Sequence, residues 1–236
     1  MLKKISNHYM RGDLWIVIKH NIAQKLKKLS KFNYFYYDII NKYKYGPDAP
    51  IFAERIWINP ADCMMAIDKS IEKWGRGMSG RVIESPWPQQ ICPIMEVEKI
   101  RACFEHWVDD VPWEDTCRFK TIKATIASNE AADGRWNMKD IFNRYEKIEA
   151  IFNQVRKENR IRTRRELDPN SFRELGGICI HIGPEGELFF GNRGSHRFAM
   201  SLILKLPLIP AQIGCVHVRA IPFLPNLRRN HKNLEL

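Results

Sequence analysis

Residues 189–211 constrain the fold more than any other stretch. Phe189-Phe-Gly-Asn-Arg-Gly-Ser-His-Arg-Phe198 leads through an apolar helical run to Ile209-Pro-Ala211. The pattern predicts a strand that ends in a glycine-flanked loop and opens directly into a helix. Gly191 and Gly194 allow backbone angles and close approaches that a Cβ would block. The first N–H groups of such a helix have no intrahelical acceptor and point into the loop, which makes the junction a place to hold an anion. Arg193 and Arg197 add forked donors, Asn192 an amide, Ser195 a hydroxyl, and His196 a ring that titrates near neutrality. A helix start by itself contributes only about 0.3–1 kcal/mol toward an anion, so the arginines would have to supply the rest. The bland alternative is a β-α turn with Ser195 as a cap and the arginines in solvent.

The surroundings of this loop repeat a recognisable order. From Gly177 to Val218 the chain reads strand (Ile178-Cys-Ile-His-Ile182), Gly183-Pro-Glu-Gly186 turn, return strand, Gly-Asn-Arg-Gly-Ser-His-Arg, helix, Ile-Pro-Ala, strand. This segment resembles the core of the ParB/sulfiredoxin-like superfamily. Arg55-Ile-Trp-Ile-Asn-Pro60 is similar to the strand ending at Asn-Pro that often opens ParB-like domains. The resemblance implies an α+β fold, a ParB/sulfiredoxin-like mixed sheet with flanking helices.

In sulfiredoxins the corresponding loop reads Gly-Gly-Cys-His-Arg and binds ATP phosphates. In ParB-type proteins a related arginine-rich loop holds a nucleoside triphosphate, and free-serine kinases of the superfamily carry a similar His-Arg pair. By that resemblance Asn192, Arg193, Gly194, Ser195, His196 and Arg197 would hold the phosphates of ATP or another nucleoside triphosphate with Mg²⁺. Ser195 stands where sulfiredoxins carry their reactive cysteine. A hydroxyl is not an anion at neutral pH, so sulfinic-acid repair is not expected. Ser195 and His196 are chain neighbours whose side chains diverge by about 100° on a helix, so Ser195 reads as a phosphate donor or cap and not as a nucleophile.

The net charge of +11 is uneven. Met1 to Tyr45 hold ten Lys or Arg against Asp13 and Asp38. Within this arm Trp15, Ile18, Ile22, Leu26 and Leu29 follow three- and four-residue steps, which predicts a basic amphipathic helix. Aromatics crowd its end, from Phe32 to Tyr45. Residues 14–45 therefore suit an anionic membrane surface, nucleic acid or a protein partner, or simple packing on the domain. Gly46-Pro-Asp-Ala-Pro50 breaks any helix. The expected organisation is an arm at 1–45, a linker at 46–52, a domain at 53–222 with its recognisable core at 177–218, and a basic tail at 223–236.

Six scattered cysteines without a Cys-x-x-Cys pair, and no signal peptide, suit a reduced cytoplasmic compartment, with peripheral membrane contact through the arm as an option. Histidine spacing does not suggest zinc. Elsewhere the spacing predicts a helix from Ala61 with Met64, Met65, Ile67 and Ile71 inward. A long irregular loop follows at 75–93, then a helix over 95–108 and a long helix over 138–156. Asp109, Asp110, Glu114 and Asp115 form an acidic turn that caps a helix or offers oxygens to magnesium. A basic knot follows the long helix, in which Arg160, Arg162, Arg164 and Arg165 are candidates to face an anion.

Three functions come out of this reading. The leading one is a nucleotide-binding protein that transfers phosphate or hydrolyses nucleotide, or uses binding as a switch, with Glu187, Glu166 and Asp168 as the nearest carboxylates in sequence and Glu187 the first to test as base. The second is a ParB-like nucleic-acid-binding protein or nuclease. The 18 residues after Val218 are too few for a helix-turn-helix reader. The third is a non-catalytic membrane or partner adaptor.

Overall fold

Among the described residues, β-branched and aromatic runs separated by Gly and Pro give seven strands, and the 3.6-residue apolar periods between them give helices that pack against the sheet. The computed structural model describes residues 34–68, 74 and 76–229. The helix expected over 14–29 and the end of the tail, 230–236, lie outside the described residues.

Among the described residues, helix α1 (34–45) comes first. Strands β1 (Arg55–Ile58), β2 (Met65–Ile67), β3 (Val82–Ile83) and β4 (Ile91–Pro93) precede helices α2 (Glu98–Trp107), α3 (Cys117–Ala127), α4 (Met138–Glu158) and the short α5 (Arg164–Leu167). Strands β5 (Ile178–Ile182) and β6 (Leu188–Phe190), helix α6 (Ser195–Ile203), strand β7 (Ile209–His217) and helix α7 (Leu224–Arg229) complete the order. The sheet is mixed, in the order β1-β7-β5-β6-β2-β4, with β3 pairing with β7 beside β1. β5 runs parallel to β7 and antiparallel to β6, so the centre of the sheet is the stretch singled out in the sequence.

All residues of β5 and β7 are buried. Ile178, Ile180 and Ile182 face the helical side, where they meet Phe190, Phe198 and the inner faces of α2, α3 and α4. Phe190 and Phe198 stack at 4.8 Å across the loop that joins them. Burying each such ring contributes roughly 1.5–3 kcal/mol. On the other side Ile67, Trp87 and Phe189 form a small second core with Trp74 against His181. The 75–93 segment is thus not an open loop: it contributes β3 and β4 and lays Trp87 over the sheet.

One further sequence expectation changes. The helix from Ala61 is a single 3-10 turn, Pro60–Asp62, followed by β2, because Met65 and Ala66 are drawn into parallel pairing with β6; Ile71 lies outside the described residues. Helix α3 had no sequence expectation. The helix at 138 starts with Asn137, whose side chain accepts the Asp140 N–H at 2.9 Å, and ends at Asn159 in the left-handed region.

Candidate functional site

The loop between β6 and α6 is folded down onto β5. Gly191 donates its N–H to Cys179 O at 2.8 Å, and the Cys179 N–H donates to Arg193 O at 3.2 Å. A Cβ on Gly191 would come within 2.7 Å of His181 Nε2. Gly194 has φ +74°, and a Cβ there would come within 2.9 Å of Ile178 Cα. Both glycines are therefore required by the approach of the loop to the strand. Asn192 is also left-handed, at φ 57°, and its amide donates to Ile67 O, which fixes the loop against β2. Helix α6 starts at Ser195, so the N–H groups of Ser195, His196 and Arg197 form its unpaired first turn.

That turn faces a cleft of about 750 Å³. Asn192, Arg193, Gly194, Ser195, His196 and Arg197 all line it, together with Gly176, Gly177, Gln212 and Met200. The opposite wall is one stripe of α4: Asp140, Asn143, Arg144, Lys147, Ile148 and Ile151. Lys99 of α2 and Arg135 of the preceding turn complete it. Among the described residues, six Lys or Arg line the cleft against a single carboxylate, Asp140. Arg197 also donates to Gly176 O at 2.7 Å, which steadies its guanidinium at the cleft edge. Burial, and then the neighbouring Arg164, push its pKa down, with Glu174 opposing.

Behind the cleft lies a charged network that ties α2 to α3. Asp133 pairs with Lys99 at 2.6 Å and Arg118 at 2.8 Å, and Arg118 also pairs with Glu98 at 2.8 Å. Burial pushes the Asp133 carboxyl up, but Lys99 and Arg118 outweigh it and the net shift is downward. His196 lies beside this network, edge-on to Tyr145 at 5.8 Å. Burial, with the cations Lys99 and Arg144, lowers its pKa to about 3, so its ring is neutral. Buried polar atoms at this end have no hydrogen-bond partner in the protein: Arg144 Nε, Tyr145 OH, His196 Nε2 and Asp133 Oδ2. Such atoms are uncommon in a closed core and mark a place where polar ligand groups or water are accommodated.

Several expected residues lie elsewhere. Glu187 is at the far end of β6, where its carboxylate accepts the Glu185 N–H at 2.8 Å and closes the hairpin turn, so it does not reach the cleft. Arg162 pairs with Glu158, one helical turn back, and Arg160 with Glu166 at 2.6 Å. Arg165 lines a separate groove with Arg55 and Trp57. Arg164 packs behind Arg197, with its backbone N–H on Glu174 at 3.0 Å. Within the knot, Arg160 and Arg162 are thus paired with local carboxylates. The acidic turn at 109–115 gathers no metal site: among the described residues no group of three or more His, Cys, Asp or Glu could hold a metal ion. No hydrogen bond joins Ser195 to His196.

The sequence reading missed Lys99, Arg135, Asp140, Arg144 and Lys147. A helical stripe at 140, 143, 144, 147, 148 and 151 was available as spacing, but spacing does not say what such a stripe faces. No family model matches the chain, and no curated protein or solved structure matches it either. The chemistry of the cleft rests on its own residues.

Proposed function

We propose that this cleft binds a phosphate-bearing ligand, a nucleoside triphosphate such as ATP, in the manner of the ParB/sulfiredoxin-like proteins that the 177–218 segment resembles. One observation carries the reading: cations from three separate stretches, Lys99, Arg135 with Arg144 and Lys147, and Arg193 with Arg197, line one cleft at the unpaired first turn of α6. The cleft volume lies within the range of small-molecule sites, roughly 300–1,000 Å³. Ile148, Ile151 and Met200 give one part of it an apolar surface suited to a flat ring, while the cations take the phosphates.

Mg²⁺ would arrive on the triphosphate, and Asp140 is the carboxylate on the cleft wall that fits it. Phosphoryl transfer consists largely of positioning and charge neutralisation, and arginines with helix N–H groups supply both. In a transfer reaction Asp140, not Glu187, is the residue to take a proton from an attacking hydroxyl; without an acceptor the same site serves as a nucleotide-dependent switch.

Calorimetry with ATP, CTP and GTP, each with Mg²⁺, tests the reading. Arg197→Ala and Arg144→Ala should each weaken binding by roughly 10- to 100-fold, the loss of a hydrogen bond to a charged group at about 1.5–3 kcal/mol. Arg162→Ala, outside the cleft, should leave it unchanged. No binding of any nucleotide by the intact protein would defeat the proposal.

A further inference from the structure

Helix α1 is apolar on two opposite sides, and only one of them is used by the domain. On the docked side, Tyr34 stacks on Phe52 at 3.5 Å. Asp38 accepts the Phe52 N–H at 2.7 Å and pairs with Arg173 at 2.7 Å. Asn41 donates to Pro50 O at 2.8 Å and Gly80 O at 2.7 Å, and Tyr45 packs on the main core. These positions follow the three- and four-residue steps of one helix face.

The other side is turned to solvent, with Tyr36 62 %, Ile39 67 % and Tyr43 94 % exposed. Six of the fifteen large apolar residues exposed among the described residues fall between Phe35 and Tyr43. Apolar residues scattered singly over a surface need no explanation, whereas a contiguous set marks a contact.

Charge decides what it contacts. Asp38 is the acidic residue of 34–45, and it is consumed on the docked side by Arg173. The outward side carries Lys42 and no carboxylate, and the preceding 33 residues hold eight Lys or Arg against Asp13. A second copy of the chain would bring an equally cationic segment to the same face, which like-charge repulsion disfavours. An anionic lipid surface fits both halves of the observation, since tyrosines partition to the headgroup level and aliphatic side chains enter beneath it while lysines meet the lipid charge. We infer that the outward face of α1, built on Tyr36, Ile39, Ile40 and Tyr43, docks the protein onto an anionic membrane surface. The inference is independent of what the cleft binds.

The test is flotation of the full chain with phosphatidylcholine vesicles, with and without phosphatidylserine, alongside the double variant Ile39→Glu with Tyr43→Glu. Both side chains are exposed, so the variant should keep the thermal midpoint of the parent, and that is measured alongside. The expected result is flotation with phosphatidylserine-containing vesicles alone, weakened by salt and reduced at least about tenfold in the variant. Absence of binding to anionic vesicles overturns the inference, and so does equal binding by the variant, which would put the contact outside α1. A concentration-dependent dimer that the variant abolishes also overturns it, by showing that the face meets protein.

Discussion

His181 and His196 are held uncharged by their surroundings. Burial lowers each to a pKa of about 3, from an ordinary value of 6.5. His181 is enclosed between Trp74 and β7, and its Nδ1 accepts the Cys215 N–H at 2.8 Å, a bond that a protonated ring cannot make. In the unfolded chain both rings take a proton as pH falls through 6.5, while in the folded protein neither does until about pH 3. The unfolded state therefore binds more protons across that window, and stability falls as the solution is acidified. The slope should reach roughly 1.4 kcal/mol per pH unit for each fully shielded histidine. His181 gives the larger share, because the His196 ring is partly open to the cleft. Denaturation midpoints between pH 7 and 5 should fall less steeply in His181→Gln than in the parent; equal slopes would show that the ring is already charged in the native protein. At this scale the loop itself was legible. Gly191 and Gly194 announced a close-packed turn that opens a helix, because the demands on those residues are local. Glu187 was misplaced because its nearness in sequence says nothing about which end of a strand a side chain occupies.

Helices α2 and α3 are joined by charge as well as by apolar packing. Arg118 bridges Glu98 and Asp133, and Asp133 also holds Lys99, a cleft residue. Removing one member of such a buried set leaves an uncompensated charge, which costs about 3–5 kcal/mol. Arg118→Met leaves Asp133 still paired with Lys99, so it should lower stability by less than that, about 1–3 kcal/mol, and the double change with Asp133→Asn should recover part of it. A loss below about 1 kcal/mol in urea titration would show that the network is solvated and not structural. None of this could be read from the sequence, since Glu98, Arg118 and Asp133 are far apart in the chain and α3 lacks a strong apolar stripe. Helices α2 and α4 were legible, as their faces repeat at 3.6 residues against the sheet. The short apolar run at 64–67 suits helix or strand by length alone; pairing with β6 and β4 makes it a strand and not the helix its spacing predicts.

At the level of the whole molecule, all six cysteines are free. Cys63, Cys103, Cys179 and Cys215 are buried, and burial raises each thiol well above its ordinary pKa. A thiol reagent should therefore modify no more than Cys92 and Cys117 in the native protein and all six after denaturation, and reductant should leave the thermal midpoint unchanged. A reductant-sensitive midpoint would reveal a disulfide that this fold does not contain. Among the described residues no helix is long and apolar enough to cross a membrane. The sequence by itself determined the mixed α and β character, the strand, loop and helix around 191–197, and the break after Tyr45, because each depends on backbone angles or periodicity within a few residues. Only the tertiary structure decided that the α4 stripe and Lys99 face that loop, that Arg160 and Arg162 of the basic knot pair with local carboxylates, and that α1 keeps one apolar side exposed. Those outcomes depend on which surfaces meet across the sheet, and long-range packing leaves no local signature in the chain.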